Sequence, residues 1–250
     1  MKFNSLLCLL IIVCLSSCAD PEANDIVTFD EELNLSISQI PTPDGPHVSF
    51  ELTSLDGFDC ENTLIQSVIQ ENSESLVLDL ISIHIPEECN TGLHPAYGYS
   101  SANLDVGTYN FNIKIGELIS ENGRLAVTPN GFELKVESIP GLNIVRSAIQ
   151  RLPDEHVWGK VNFQSLSSSE WNSFVNGIGQ YTAVSTEAEA ANYGLFEIDE
   201  LKNIFLSATP VQFIFLEVTD LTGLEQFLDL FRAQHPDFDS NLTHSSGIKI

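Results

Sequence analysis

From Ile26 to about Val136, apolar and polar residues alternate with period two. Leu33, Leu35 and Ile37 alternate with Asn34, Ser36 and Ser38, and Val48, Phe50 and Leu52 with Ser49, Glu51 and Thr53. Tyr109, Phe111, Ile113 and Ile115 alternate with Asn110, Asn112 and Lys114, and Phe132, Leu134 and Val136 with Glu133 and Lys135. Successive side chains of a strand point to opposite faces, so each run predicts a strand with one buried and one wet face, as in antiparallel sheets. Pro43-Asp44-Gly45-Pro46, Val106-Gly107, Asn122-Gly123 and Pro129-Asn130-Gly131 read as turns between them. One strand changes phase: Leu76, Leu78 and Leu80 are followed by Ile81, Ile83 and Ile85. A β-bulge does this, and so does a strand passing from one sheet to another. Leu64, Ile65, Val68 and Ile69 fit a short helix better than a strand.

The period changes after Ser138. Pro140, Gly141 and Pro153 mark residues 139–155 as a connector, with a helical turn at Ile144 to Gln150. Val157, Val161 and Phe163 predict a strand. Ser167 and Glu170 then have capping-box spacing, followed by Trp171, Phe174, Val175 and Ile178 on one helical face. Thr222 and Glu225 repeat the capping spacing, Leu224, Phe227, Leu228 and Phe231 repeat the helical face, and His235-Pro236 ends that helix. Strands are expected at Leu195 to Ile198, at Val211 to Val218, and through Phe238 to Leu242 or Gly247 to Ile250. Thr186 to Ala191 and Leu201 to Pro210 read as an insertion. Strand, helix, two strands, helix, strand is the ferredoxin-like split β-α-β order.

The expected architecture is therefore mixed. Residues 26–138 form an antiparallel β-sandwich of immunoglobulin-like kind, and 156–250 a smaller α+β domain. No tryptophan follows the first cysteine of the sandwich, so it is not an antibody-type domain.

Ahead of residue 26 the pattern differs. Lys2 precedes an apolar run from Leu6 to Leu15, a secretory signal too short to span a membrane, which takes roughly 20 residues. The run ends in Leu15-Ser16-Ser17-Cys18, which resembles the lipobox of bacterial lipoproteins. That resemblance implies that the Cys18 thiol receives a diacylglycerol and that signal peptidase II cuts before Cys18, whose freed amine is then acylated. Residues 1–17 are then a signal peptide, discarded with Cys8 and Cys14, and 18–25 an acidic tether. Two or three acyl chains at about 0.8 kcal/mol per buried methylene make a durable anchor. Asp20, Glu22 and Asp25 resemble the acidic tags after the lipid cysteine of some surface-exposed outer-membrane lipoproteins. The expected location is the outer membrane, lipid-anchored, either surface-exposed or facing the periplasm. The body resembles a two-domain envelope lipoprotein with an immunoglobulin-like sandwich.

Net charge narrows the partners. At −25 the chain repels phosphate backbones, which argues against nucleic acid, and it disfavours adsorption to anionic headgroups. Such charge serves solubility, or forms an acidic face for a cation or a basic partner.

Two cysteines remain in the body, Cys60 and Cys89. An even count in an exported chain predicts one disulfide. Asp59, Glu61, Glu87 and Glu88 beside them raise thiol pKa values, which argues against a nucleophile. His84 and His94 make no zinc pattern with them.

The sequence assigns no catalytic residue, metal ligand or cofactor. Asn176-Gly177-Ile178-Gly179 follows a helix, where glycines cap, rather than preceding one, where glycines cradle phosphate. Gly-x-Ser-x-Gly, His-Glu-x-x-His and EF-hand patterns do not occur. The six histidines are scattered.

The best binding candidate is a loop, His94-Pro95-Ala96-Tyr97-Gly98-Tyr99, in which His94, Tyr97 and Tyr99 present surface to sugar or protein. The competing reading folds the tyrosines back onto the sandwich. Trp158 is a second aromatic, expected exposed near the domain junction, and Trp171 is expected in the core. The function expected is a non-enzymatic, lipid-anchored envelope module binding a protein or glycan partner. The alternatives are an envelope hydrolase with carboxylates in an interdomain cleft, and a structural spacer.

Overall fold

Each of the four period-two runs forms a strand in the structure, a computed structural model that describes residues 32–116, 118–162, 166–184, 189–198, 204–205 and 212–250. The expected signal segment, Cys18, the tether, Phe163 and most of the expected insertion lie outside the described residues.

The strands are β1 (Leu33–Ile40), β2 (His47–Cys60), β3 (Leu64–Glu71), β4 (Ser75–His84), β5 (Thr91–Ala102), β6 (Gly107–Ile115), β7 (Leu118–Thr128), β8 (Gly131–Lys135), β9 (Leu142–Arg146) and β10 (Ala148–Gln150). They form one sheet in the order β10-β8-β7-β6-β4-β3-β5-β2-β1-β9. β9 pairs in parallel with β1, β10 pairs antiparallel with β8, and only Ser147 separates β9 from β10. A single segment thus joins the two ends of the sheet and rolls it into a near-barrel, which leaves neither terminal strand as a bare edge. This corrects the immunoglobulin-like sandwich. It also corrects the connector: residues 142–150 form strands, not a helical turn, because they fill the gap between β1 and β8.

Inward-facing residues fill the barrel. Leu33, Leu35, Ile37, Val48, Phe50 and Leu52 from β1 and β2 meet Leu76, Leu78, Leu80, Phe111 and Ile113 from β4 and β6. Phe50 stacks on Phe111 across the interior with ring centroids 4.9 Å apart, an offset pairing that adds to the area buried.

The phase change in β4 is a bulge. Gln66 pairs with Ser82 but Ser67 pairs with Leu80, so Ile81 is the extra residue and is exposed while Ile83 turns inward. Residues 64–69, expected as a helix, lie in β3. Asn122-Gly123, expected as a turn, lies within β7, and Gly123 packs flat against the Phe111 carbonyl.

The second unit holds β11 (His156–Asn162), α1 (Ser168–Ile178), β12 (Thr182–Val184), β13 (Ala191–Asn192), β14 (Glu197–Ile198), β15 (Ile204–Phe205), β16 (Gln212–Val218), α2 (Leu221–Gln234) and β17 (Asp239–His244). Its main sheet is antiparallel, in the order β12-β16-β11-β17. The capping box at Ser167 and Glu170 forms as expected. The second helix starts instead from Asp220, whose side chain accepts from the Gly223 N–H, and Thr222 lies inside the helix. The chain leaves that helix at His235, before Pro236. Phe174 of α1 packs against Phe227 and Phe231 of α2 and against Phe238.

Alternation along β11 sends Val157 and Val161 to the helices and Trp158 to the opposite face. There Trp158 clusters with Leu152, Tyr193, Phe196 and Phe215, so it is buried at the junction rather than displayed. Gln39, on the inward phase of β1, is fully buried between the units. Its Nε2 donates to the carbonyls of Gln150 (2.8 Å) and Tyr193 (2.7 Å), and its Oε1 accepts from the Leu152 N–H (3.1 Å). Arg146 adds a donor bond to the Gly194 carbonyl at 3.0 Å.

Candidate binding surface

The candidate aromatic residues lie on a strand, not a loop: 91–102 form β5, hydrogen-bonded to β2. Strand alternation divides them. Ala96 and Gly98 point inward, so Tyr97 and Tyr99 point outward together, with ring centroids 6.4 Å apart. His94 falls on the other phase of the strand, paired with Phe58 and itself exposed, and does not join them. A two-tyrosine platform on a rigid strand replaces the predicted loop.

The register adds neighbours that period alone did not disclose. Tyr97 lies opposite Thr53 of β2 on one side and Leu64 of β3 on the other, and Tyr99 lies opposite Glu51. Gly98 packs against the Ile65 carbonyl so closely that no Cβ fits, which sets β3 hard against β5. On the same face Leu93 lies over Gly57 of β2. The result is a row of large side chains open to solvent: Leu64 is 50% exposed, Leu93 72%, Tyr97 45% and Tyr99 61%. Isolated exposed apolar residues are ordinary, but a run gathered across two neighbouring strands, β3 and β5, is a pattern found at interaction surfaces.

β2 bulges where it passes this row, its register slipping between Thr53 and Gly57. The hydroxyl of buried Ser54 accepts from the Ala96 N–H at 2.8 Å, in place of a ladder carbonyl, and donates to the Asp56 carbonyl at 2.7 Å. The backbone under the tyrosines thus stays satisfied despite the bulge. Burial, then the Glu51 carboxylate and the Tyr99 hydroxyl, hold the Tyr97 phenol above its ordinary pKa. The Tyr97 hydroxyl stays protonated near neutrality.

Cys60 and Cys89 come together at the end of β2. A hydrogen bond with the Cys60 thiol, followed by burial and the nearby Asp59, raises the Cys89 thiol above its ordinary pKa. Both are free thiols in the structure, Cys60 buried and Cys89 exposed. The Cys89 thiol lies 4.0 Å from the Asp59 carbonyl and the Glu61 N–H donates to the Asn90 carbonyl at 3.1 Å, which places the loop carrying Glu87 and Glu88 against the end of β2.

A separate cavity of about 380 Å³ opens between the units. The β1–β2 turn from Pro41 to Pro46 forms one wall, and Arg151, Asp154, Glu155 and His244 to Ser246 form the other. His244 is buried. Its Nδ1 accepts from the Ser246 N–H at 3.2 Å, which leaves the proton of the neutral ring on Nε2. That Nε2 has no hydrogen-bond partner among the described residues, and the Glu155 carboxylate stands 3.8 Å away. Glu155 holds φ at 55°, alone among described non-glycine residues in being positive. Sequence reasoning passed over His244 because its only local signal, a histidine in a polar strand, is unremarkable. Among the described residues no group of three or more His, Cys, Asp or Glu could hold a metal ion, and no helix is long and apolar enough to cross a membrane.

No protein-family model, curated protein or solved structure matches the chain.

Proposed function

We propose that the chain is a cell-envelope protein held at the outer membrane by lipid on Cys18, whose barrel is a non-enzymatic binding or assembly module for a protein or glycan partner. The Leu15-Ser16-Ser17-Cys18 motif supports the anchor. The observation that carries the binding role is the outward pair Tyr97 and Tyr99, set beside exposed Leu64 on strands that cannot fold it away. Pull-down from envelope membranes with the acylated chain tests it. Wild type captures one stoichiometric partner and Tyr99→Ser loses it; equal capture by both would overturn the reading. Cys18→Ala abolishes lipid incorporation, and normal maturation of that variant would sink the anchor. Protease treatment of intact cells distinguishes surface display, which gives cleavage, from a periplasm-facing orientation, which gives protection.

Two finer structural readings belong with this proposal. The second unit is a split β-α-β domain of ferredoxin-like kind, supported by its strand order and by two helices sharing one apolar cluster. Cys60 and Cys89 form a disulfide in the oxidising envelope, supported by their contact.

A second reading, an envelope hydrolase using interdomain carboxylates, draws support from the cavity lined by Asp44, Asp154 and Glu155. Turnover of a chromogenic glycoside that is lost in Asp154→Asn or Glu155→Gln would favour it; no turnover by wild type would remove it.

A further inference from the structure

We infer that the outward face of β2, β3 and β5 docks a partner protein whose contact surface is cationic around an apolar centre. The inference rests on the binding reading above and adds the partner's chemistry.

The centre is the row already described. Leu93, Tyr97 and Leu64 follow one another across β5 and β3, and Tyr99 extends the row along β5. Large, rigid, amphipathic side chains of this kind supply contact area at small entropic cost, and aromatic anchors of this type dominate interface energetics.

The rim carries the charge argument. Between Lys2 and Lys114 the chain has no lysine or arginine, so every fully charged side chain of β1 to β5 is an acid. Glu51 faces the tyrosines across the β2–β5 ladder. Asp56 and Asp59 flank Gly57, over which Leu93 lies. Glu87 and Glu88 sit on the loop that the Cys89–Asp59 and Glu61–Asn90 contacts set against the end of β2. Lys114, the next cation along the chain after Lys2, is occupied by Asp79 at 2.9 Å. The apolar row is therefore bordered by acids without compensating cations from its own strands.

Charge complementarity selects among occupants. A second copy brings the same −25 and is repelled. A neutral glycan stacks on tyrosines but gains nothing from the acids. A surface of lysines or arginines around leucine or aromatic side chains satisfies both parts, and the acids speed its arrival more than they hold it.

The test uses the full-length chain in neutral detergent and two fluorescein-labelled probe peptides, read by anisotropy. Each has a central Leu-Trp-Leu, flanked by lysines in one and by glutamates in the other. The lysine peptide binds and the glutamate peptide does not. Leu93→Ser and Tyr99→Ser, both at open positions, each weaken binding at least tenfold, as does Glu87→Lys with Glu88→Lys. Asp239→Lys, on β17, leaves it unchanged. Raising salt from about 50 to about 300 mM weakens binding severalfold.

If Leu93→Ser and Tyr99→Ser bind like wild type while Glu87→Lys with Glu88→Lys does not, the attraction is diffuse and the inference fails. If both peptides bind equally, or a neutral oligosaccharide binds through Tyr99 and neither peptide does, the partner chemistry is wrong and the binding reading survives. Self-association lost in Tyr99→Ser overturns it in favour of a second copy. If no probe binds, the inference fails, and the membrane pull-down decides the binding reading separately.

Discussion

The side-chain amide of Gln39 donates to the backbone carbonyl of Tyr193 at 2.7 Å, across the junction between barrel and second unit. One fully buried glutamine at the end of β1 also holds Gln150 and Leu152, so the exit from the barrel and the start of the next unit are fixed by the same side chain. Gln39→Leu leaves the Tyr193 carbonyl and the Leu152 N–H buried without it, a loss of about 3 kcal/mol. Urea denaturation followed by tryptophan emission, which reports Trp158 at the junction, reads it. A variant within about 0.5 kcal/mol of wild type would mean that the amide is dispensable.

Gly177 lies inside α1 beneath the ring of Phe227, and a Cβ there overlaps the ring. Alanine is worth about 1 kcal/mol more than glycine inside a free helix. Overpacking costs about 1–3 kcal/mol and wins. Gly177→Ala therefore lowers stability, and Gly177→Ala with Phe227→Leu recovers part of the loss. A stabilised single variant would show that the helices separate easily.

Acid weakens the fold through His244. Burial lowers the pKa of its imidazole, opposed by Glu155 and Glu225 and reinforced by His156. The unfolded ring takes a proton below about pH 6.5 and the folded ring only at lower pH. The unfolded state thus binds more protons across that window. Stability is full above about pH 6.5 and falls as pH drops toward the folded-state value. Urea midpoints from about pH 7.5 to about pH 5 trace this decline, and His244→Gln flattens it. A decline that is unchanged in the variant would assign the effect to other groups.

The contact between Cys60 and Cys89 predicts that exported protein carries no titratable thiol from this pair. Closing a loop of roughly 30 residues restrains the unfolded chain, so reduction lowers Tm by roughly 10 °C. Two reactive thiols in protein recovered from the envelope would contradict the bridge.

Much of the barrel was legible because one face of each strand is buried. Leu33, Leu35 and Ile37, or Phe111, Ile113 and Ile115, alternate as period two requires, and the phase slip at Ile81 announced a bulge. β3 was not legible, because both of its faces carry apolar residues. Ile65 and Ile69 face the core while Leu64 and Val68 face solvent, so apolar residues on both sides imitate a helical spacing. The solvent-facing apolar row hid the strand that carries it. β9 and β10 were hidden differently. Their pairing with β1 and β8 is long-range, and nothing local to Leu142 or Ile149 encodes it. The tyrosines were found, but their separation from His94 needed the strand that the sequence reading took for a loop.

Closure by residues 142–150 also sets an order of events. The barrel's first strand cannot find its parallel neighbour until more than a hundred further residues have been made. Long-range pairing of this kind is slow, and until it happens β1 and β8 offer unpaired backbone to any passing strand. A chain cut after Ser138 would never leave that state. Such a fragment should aggregate although every alternating run is intact, and the unfinished cylinder is the stage at which a holdase chaperone would matter most.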